Sequence, residues 1–293
     1  MEPDQVRPPL TSFRDRHLDD QLWDHGFVIV DLMDADEVVE LRDRWAAGGA
    51  STEPFRTTAL HHPADPGPRA WHEHLRQRFQ PRIDALLVDH EIRHGFFMEK
   101  APVDPRVDHG TVPLHQDWTF VDETGSRGLI IWCPLVDVGA DAGPLQVVPG
   151  SHRLTDAPRG AGGVPWALAP LDEVLRSALV TLEVPAGRAV VYDGALVHAS
   201  PPNHAAVPRP VVGLGTTHRS ARLVTFHAEP DGRVRCFDVD ADHFIETDLE
   251  HAPTRHHGVV EVDAAPLAPA ELHRIEQQVR SRTSHSGPIR PTA

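Results

Sequence analysis

Between Gly95 and Val239 the chain is cut into short apolar runs, each closed off by Pro, Gly or Asp, and this spacing constrains the fold more than any other feature. The runs are Gly95–Lys100, the segment around His115, Gly128–Cys133, Ala142–Gly150, Val180–Val184, Arg188–Asp193, Leu196–Ser200, Pro210–Thr217 and Arg222–Ala228. Pro230-Asp-Gly-Arg233 then reads as a hairpin turn leading into Val234–Val239. Helical periodicity lies mainly outside this region. Asp15–His25 stops at Gly26, and Ala35–Ala47 follows Asp34 as its N-cap. Trp71–Val88 is expected to be kinked or divided at Pro81, and Ala270–Arg282 carries Leu272, Ile275 and Val279 on one face. Residues 50–70 lack a period and read as loop. Strands in the middle with helices outside predict an α+β fold with a β-sandwich or barrel centre, one domain over 1–293 with flexible tails at 1–12 and 283–293.

Composition narrows the partners. With 28 basic and 43 acidic residues the chain carries −15, which argues against nucleic acid and anionic membrane as ligands and leaves a small molecule in a local pocket. Its two cysteines, Cys133 and Cys236, sit in apolar runs, so a disulfide framework is not expected. No leader-like or membrane-spanning apolar stretch is evident, so a cytoplasmic protein, monomer or homodimer, is expected. Twenty-one histidines make chance metal-like pairs inevitable, and His61-His62, His72-x-His74 and His256-His257 are read as such.

One histidine group differs. In an extended strand His115 and Asp117, two residues apart, project from the same face. His198 ends an apolar run 83 residues later, where a neighbouring strand can bring it alongside. Two imidazoles and one carboxylate with open positions opposite form the ligand set of non-haem Fe(II) oxygenases. Such an iron has room for a 2-oxo acid and O2, and the distal carboxylate of the 2-oxo acid needs a planar cation. Arg209, 11 residues after His198 and opening the next apolar strand, is placed to supply it.

With Gly26-Phe-Val-Ile-Val30, Pro113-Leu-His-Gln-Asp117, Trp132-x-Pro-Leu-Val-Asp137, Gly143-Pro-Leu-Gln-Val-Val-Pro-Gly-Ser-His152 and Val191-Tyr-Asp-Gly-x-x-x-His-x-Ser-x-x-Asn203 in order, the sequence resembles the phytanoyl-CoA dioxygenase-like branch of Fe(II)/2-oxoglutarate-dependent dioxygenases. The resemblance implies a double-stranded β-helix (jelly-roll, cupin-like) core with flanking helices, Fe(II) on His115, Asp117 and His198, and 2-oxoglutarate anchored by Arg209. It places Ser200 beside the distal carboxylate, and Lys100 and Gln116 at positions sometimes close to the iron-side carboxylate. It implies an oxygenase that uses O2, releases succinate and CO2, and hydroxylates an amino-acid-like or natural-product intermediate. Related halogenases carry a small residue where Asp117 stands, which favours hydroxylation over halogenation.

Trp118, Thr119, Trp132 and Arg219 are further candidates for contacting substrate, and Arg222 is weighed with Arg219 as an anion partner. His152 reads as structural. The Gly/Pro-rich segment Ser151–Pro170 is expected to be a mobile cover that orders over the site. Desaturation, cyclisation or epimerisation at the same site, and a non-catalytic metal-binding or sensor jelly roll, are the alternatives that the same residues allow.

Overall fold

The structure is a computed structural model that describes residues 10–49, 53–59, 66–104, 106, 109–161, 163–246 and 251–285. His61-His62 and the outer parts of both expected tails lie outside the described residues. In chain order the elements are α1 (Arg16–His25), β1 (Phe27–Asp31), α2 (Ala35–Ala46), β2 (Phe55–Thr57), α3 (Pro66–Leu86), β3 (His90–Lys100), β4 (Val112–His115), β5 (Leu129–Pro134) and β6 (Leu145–Val147). They continue with α4 (Asp172–Ser177), β7 (Val180–Leu182), β8 (Arg188–Asp193), β9 (His198–Ser200), β10 (Arg209–His218), β11 (Val224–Ala228), β12 (Val234–Asp238), α5 (His243–Glu246), β13 (Gly258–Val262) and α6 (Pro269–His285).

Two antiparallel sheets face each other, one ordered β1-β8-β5-β10-β3-β2 and the other β4-β9-β6-β7, and together they form the jelly-roll core. The larger sheet is buried on both faces, which accounts for its unbroken apolar runs. Along β5, Leu129, Ile131 and Cys133 point outward into a core shared with the helices, whereas Ile130 and Trp132 point inward between the sheets. In β8, Ala189 and Val191 alternate in the same way with Val190 and Tyr192. The outer core is closed by α3, whose Leu75, Phe79 and Ile83 recur every fourth residue and are fully buried. Trp45 of α2 stacks on Phe97 of β3 with ring centroids 4.7 Å apart. Behind the smaller sheet, Leu114, Val197 and Ala199 pack on Leu175, Ile275 and Val279 of α4 and α6.

Local signals at helix ends act as read. Asp15 accepts from the amides of His17 and Leu18, Asp34 and Glu37 form a capping box, and Gly26 closes α1 with φ 84°. Four expectations need correction. Residues 50–70 contain β2, which pairs with β3, and the start of α3. That helix is not divided at Pro81, its buried face being held by Leu75, Phe79 and Ile83 on both sides of the proline. The N-terminal arm is tied down from Ser12, whose amide donates to the buried Asp19 carboxylate at 2.8 Å. A third sheet, β11-β12-β13, includes a strand that the sequence reading omitted.

Candidate active site

His115 and His198 are direct partners across the β4–β9 ladder, and their ring centroids are 4.2 Å apart. Asp117 reaches them by a different route from the one expected. β4 ends at His115, and the chain then leaves the sheet so that the Asp117 amide donates to the Gly194 carbonyl at 3.0 Å. Its carboxylate nevertheless lies 3.8 Å from Nε2 of each histidine, and one donor atom from each of the three residues lies within 4.8 Å of the others. Among the described residues this is the group of His, Cys, Asp and Glu side chains close enough to hold a metal ion.

Each histidine is fixed for ligation by its own backbone. Nδ1 of His115 meets the Pro113 carbonyl at 2.7 Å, and Nδ1 of His198 meets the Leu196 carbonyl at 2.9 Å. A carbonyl only accepts, so both Nδ1 atoms carry the proton and both Nε2 atoms present a lone pair. Burial and the neighbouring His115 push His198 down to about 4, so it is neutral at physiological pH. Asp117 Oδ2 is buried without a hydrogen-bond partner. Two imidazoles tied at Nδ1 with Nε2 facing a carboxylate that has an orphaned oxygen fit a divalent iron-type ion.

The triad opens into a 350 Å³ cavity between the sheets. Arg209, at the start of β10, lines it and is only 2% exposed. Its Nε and Nη1 have no hydrogen-bond partner, and burial without an anion pushes the guanidinium down to about 9. An unpaired buried cation of this kind costs several kcal/mol, so the site is built for an anion to arrive. The guanidinium also sits over the Trp132 ring, 5.2 Å from its centroid. Ser200 lines the same cavity, with Oγ donating to the Gly143 carbonyl at 3.0 Å.

Other candidates are placed differently. Lys100 is fully buried but outside the cavity lining, its ammonium donating to the carbonyls of Ser200 and Pro201. Gln116 lines the cavity with its amide committed at both ends, donating to the Ala195 carbonyl and accepting from Trp166 Nε1. Trp118 and Trp132 line the cavity, whereas Thr119 is buried outside its lining. Arg219 lies away from the cavity, in ion pairs with Asp84, Asp89 and Glu91. Arg222 pairs with Asp122 and Asp238. His152 is buried against α1, with Nε2 at the Trp23 carbonyl. His72 accepts from the Gly95 amide, and His257 pairs with Asp240.

Two contributions went unnoticed in the sequence. Tyr192, the sole tyrosine, is buried in contact with His198, with ring centroids 5.0 Å apart; burial and the Asp117 carboxylate push its phenol well above the usual range. Arg159 reaches in from the 151–170 segment: Nε donates to the Asp117 carbonyl at 2.9 Å, and its terminal nitrogens grip Glu123. The described residues of this segment pack against the body of the protein. Leu154 and Leu168 are buried, the Thr119 amide donates to the Arg159 carbonyl, and Gly160 lies so close to β11 that a Cβ would meet the Phe226 carbonyl at 2.1 Å.

The fold is shared with solved 2-oxoglutarate enzymes. The chain aligns over 71% of its length, and 85% of the other chain, with the epimerase SnoN in complex with Fe3+, alpha ketoglutarate and nogalamycin RO, at TM-score 0.53 and 21% identity. EvdO2 from Micromonospora carbonacea var. aurantiaca, complexed with 2-oxoglutarate, aligns over 75% of this chain and 97% of its own at TM-score 0.52 and 19% identity. At these identities the likeness shows the fold. A phytanoyl-CoA dioxygenase domain-containing protein 1 homolog of Dictyostelium discoideum is 34% identical over 101 residues, 32% of this chain and 36% of that relative, so the match spans about a third of the relative's length. Among the described residues no helix is long and apolar enough to cross a membrane. The sequence model of the phytanoyl-CoA dioxygenase (PhyH) family matches residues 24–211, a span that contains both histidines, Asp117 and Arg209; the chain belongs to that family.

Proposed function

We propose that this chain is an Fe(II)/2-oxoglutarate-dependent dioxygenase that hydroxylates an unactivated C–H bond of a small molecule, with release of succinate and CO2. The observation that carries the reading is one cavity holding both a three-donor metal site and an unpartnered buried guanidinium. When bound, iron and 2-oxoglutarate supply the oxidising power by coupling O2 reduction to decarboxylation of the 2-oxo acid. His115, Asp117 and His198 hold the metal. Arg209 takes the distal carboxylate through its planar fork, and Ser200 stands beside it, its single O–H turning from the Gly143 carbonyl to donate to that carboxylate when it arrives.

The remaining residues hold the geometry. Arg159 fixes the main chain of Asp117, while the Pro113 and Leu196 carbonyls fix the two rings. Tyr192 stays protonated beside Asp117, a hydrogen-bond donor rather than a fourth anionic ligand. Apolar walls keep water from the reacting centre. Asp117 retains the carboxylate in the third ligand position, which favours hydroxylation over halogenation. Neighbours of this fold solved with 2-oxoglutarate, one of them an epimerase with nogalamycin RO bound, support a 2-oxoglutarate enzyme acting on a small molecule, while the choice of hydroxylation rests on Asp117. The test is succinate formation from 2-oxoglutarate: it should require Fe(II) and rise with a substrate, and a metal-loaded protein that forms no succinate would instead be a binding or sensor jelly roll.

A further inference from the structure

The cavity floor can be followed across the larger sheet from Asp117. The Asp117 amide donates to the Gly194 carbonyl at 3.0 Å, and the Gly194 amide donates to the Gly128 carbonyl at 2.9 Å. On β10, Thr216 is the partner of Leu129, so the residue that follows beside Gly128 is Thr217. Two strand spacings put Thr217 roughly 10 Å from Gly194. Gly128, Gly194 and Gly215 line the cavity, and a Cβ on them would find its nearest neighbour at 3.8, 3.5 and 3.7 Å respectively. Packing therefore does not demand glycine at these positions; the bare backbone leaves room for a ligand. Trp118, Phe120 and Phe244 give the same cavity an apolar surface, the last two edge to face with centroids 5.1 Å apart.

Beyond this floor β3 carries an extra residue. His94 pairs with Gly215 and Ile92 with Thr216, so Arg93 has no partner on β10 and forms a bulge. Ile92 belongs to the core shared with the helices, whereas Arg93 and His94 both line the cavity. Arg93 Nε donates to Thr217 Oγ1 at 3.0 Å and Nη1 donates to Glu91 at 2.7 Å. Its Nη2 and the hydroxyl proton of the buried Thr217 have no partner among the described residues. The Glu91 oxygen that meets Arg93 also faces Arg219 Nη1 at 3.6 Å, so one carboxylate serves two guanidiniums. Asp84 and Asp89 are half exposed and answer Arg219. Burial outweighs Glu91 and lowers the Arg93 guanidinium below the usual arginine range. The other permanently charged side chains that line the cavity are committed, Asp117 to the metal, Arg209 to the 2-oxo acid and Glu123 to Arg159.

We infer that the substrate carries a carboxylate that docks on Arg93 Nη2 and the Thr217 hydroxyl, with an apolar body lying over Gly128 and Gly194 toward Asp117. The inference rests on the oxygenase reading and narrows it: Arg93 and Thr217 set specificity for an anionic substrate, at the opposite end of β10 from the anchor of the 2-oxo acid. The test uses three probes of one shape and different charge, 5-phenylpentanoate, 5-phenylpentanamide and 5-phenylpentylamine. The protein is loaded with Fe(II) and saturating 2-oxoglutarate without oxygen, so that Arg209 is occupied, and is titrated with each probe by calorimetry. The carboxylate should bind saturably and about ten-fold or more tighter than the amide, the worth of a charge-assisted contact, and the amine should give no binding over the same range. Arg93→Gln should remove the preference for the carboxylate. Thr217→Val should weaken the carboxylate about five-fold, the worth of one hydrogen bond. Melting curves record that each variant is folded. A wild type that binds the carboxylate no tighter than the amide or the amine overturns the inference, as does an unaltered carboxylate affinity in either folded variant. Iron titration and succinate formation, measured on the same preparations, report separately on the oxygenase reading.

Discussion

Arg159 Nε donates to the main-chain carbonyl of Asp117 at 2.9 Å, across 42 residues of sequence. The same guanidinium closes a two-pronged contact on Glu123, so a buried ion pair fixes the carboxylate ligand that leaves the β4 ladder. Arg159→Lys keeps the charge and loses the fork. It should lower Fe(II) affinity about ten-fold or more, the usual cost of removing a group that orients a metal ligand. Anaerobic metal titration of the variant checks this, and an affinity equal to wild type would show that Asp117 is held without Arg159.

Arg209→Gln should raise the KM for 2-oxoglutarate by roughly ten- to hundred-fold, the value of a lost charge-assisted contact. Iron affinity should stay unchanged because the side chain is not among the metal donors. Arg209→Lys should recover only part of the loss, since an ammonium cannot present the planar fork. Steady-state kinetics at varied 2-oxoglutarate decide the matter, and equal KM values in wild type and Arg209→Gln would assign the anchor to another cation.

Ser151–Pro170 should show the same hydrogen-exchange protection with and without substrate, because Arg159, Trp166 and the close approach at Gly160 pin it in place. Gly160→Ala should cost about 1–3 kcal/mol of stability, as overpacking does. Protection that appears only on substrate binding would restore the mobile cover that the Gly/Pro content suggested.

His90 at the start of β3 supplies a pH test. Burial pushes it down to about 4; Nδ1 meets the Val88 carbonyl, Nε2 has no partner, and His218, Asp89 and Asp19 are the titratable groups that act on it. The folded state thus favours the neutral ring, and the unfolded chain takes up the proton first. The stability it confers is complete above the ordinary histidine range and is lost as pH falls toward 4. Relative to His90→Leu, wild type should lose melting temperature between pH 7 and 4, with the difference constant at lower pH. Parallel melting curves across this range would exclude the effect.

Legibility in the sequence followed the range of the contacts. Strands such as β5 and β8 were visible because both faces are buried and the apolar runs are unbroken. The two histidines and Arg209 were visible because two ladders, β4 with β9 and β10 with its neighbours, bring them to one cavity. Lys100 misled because nothing local records that its ammonium is taken by carbonyls about a hundred residues away. Asp117 was grouped with the two histidines for a reason that does not hold, since its position depends on Gly194 and Arg159 rather than on strand alternation. Arg159 itself lay in a stretch whose Gly and Pro content hid the long-range bonds it makes to Asp117 and Glu123.

Anaerobic Fe(II) titration of wild type, Asp117→Ala and His198→Ala tests the central claim most directly. The account predicts one iron per chain in wild type and severe loss of affinity in each variant, because each removes one of three protein donors in a site where 2-oxoglutarate and O2 must fill the rest. Unchanged iron affinity in both variants would contradict it.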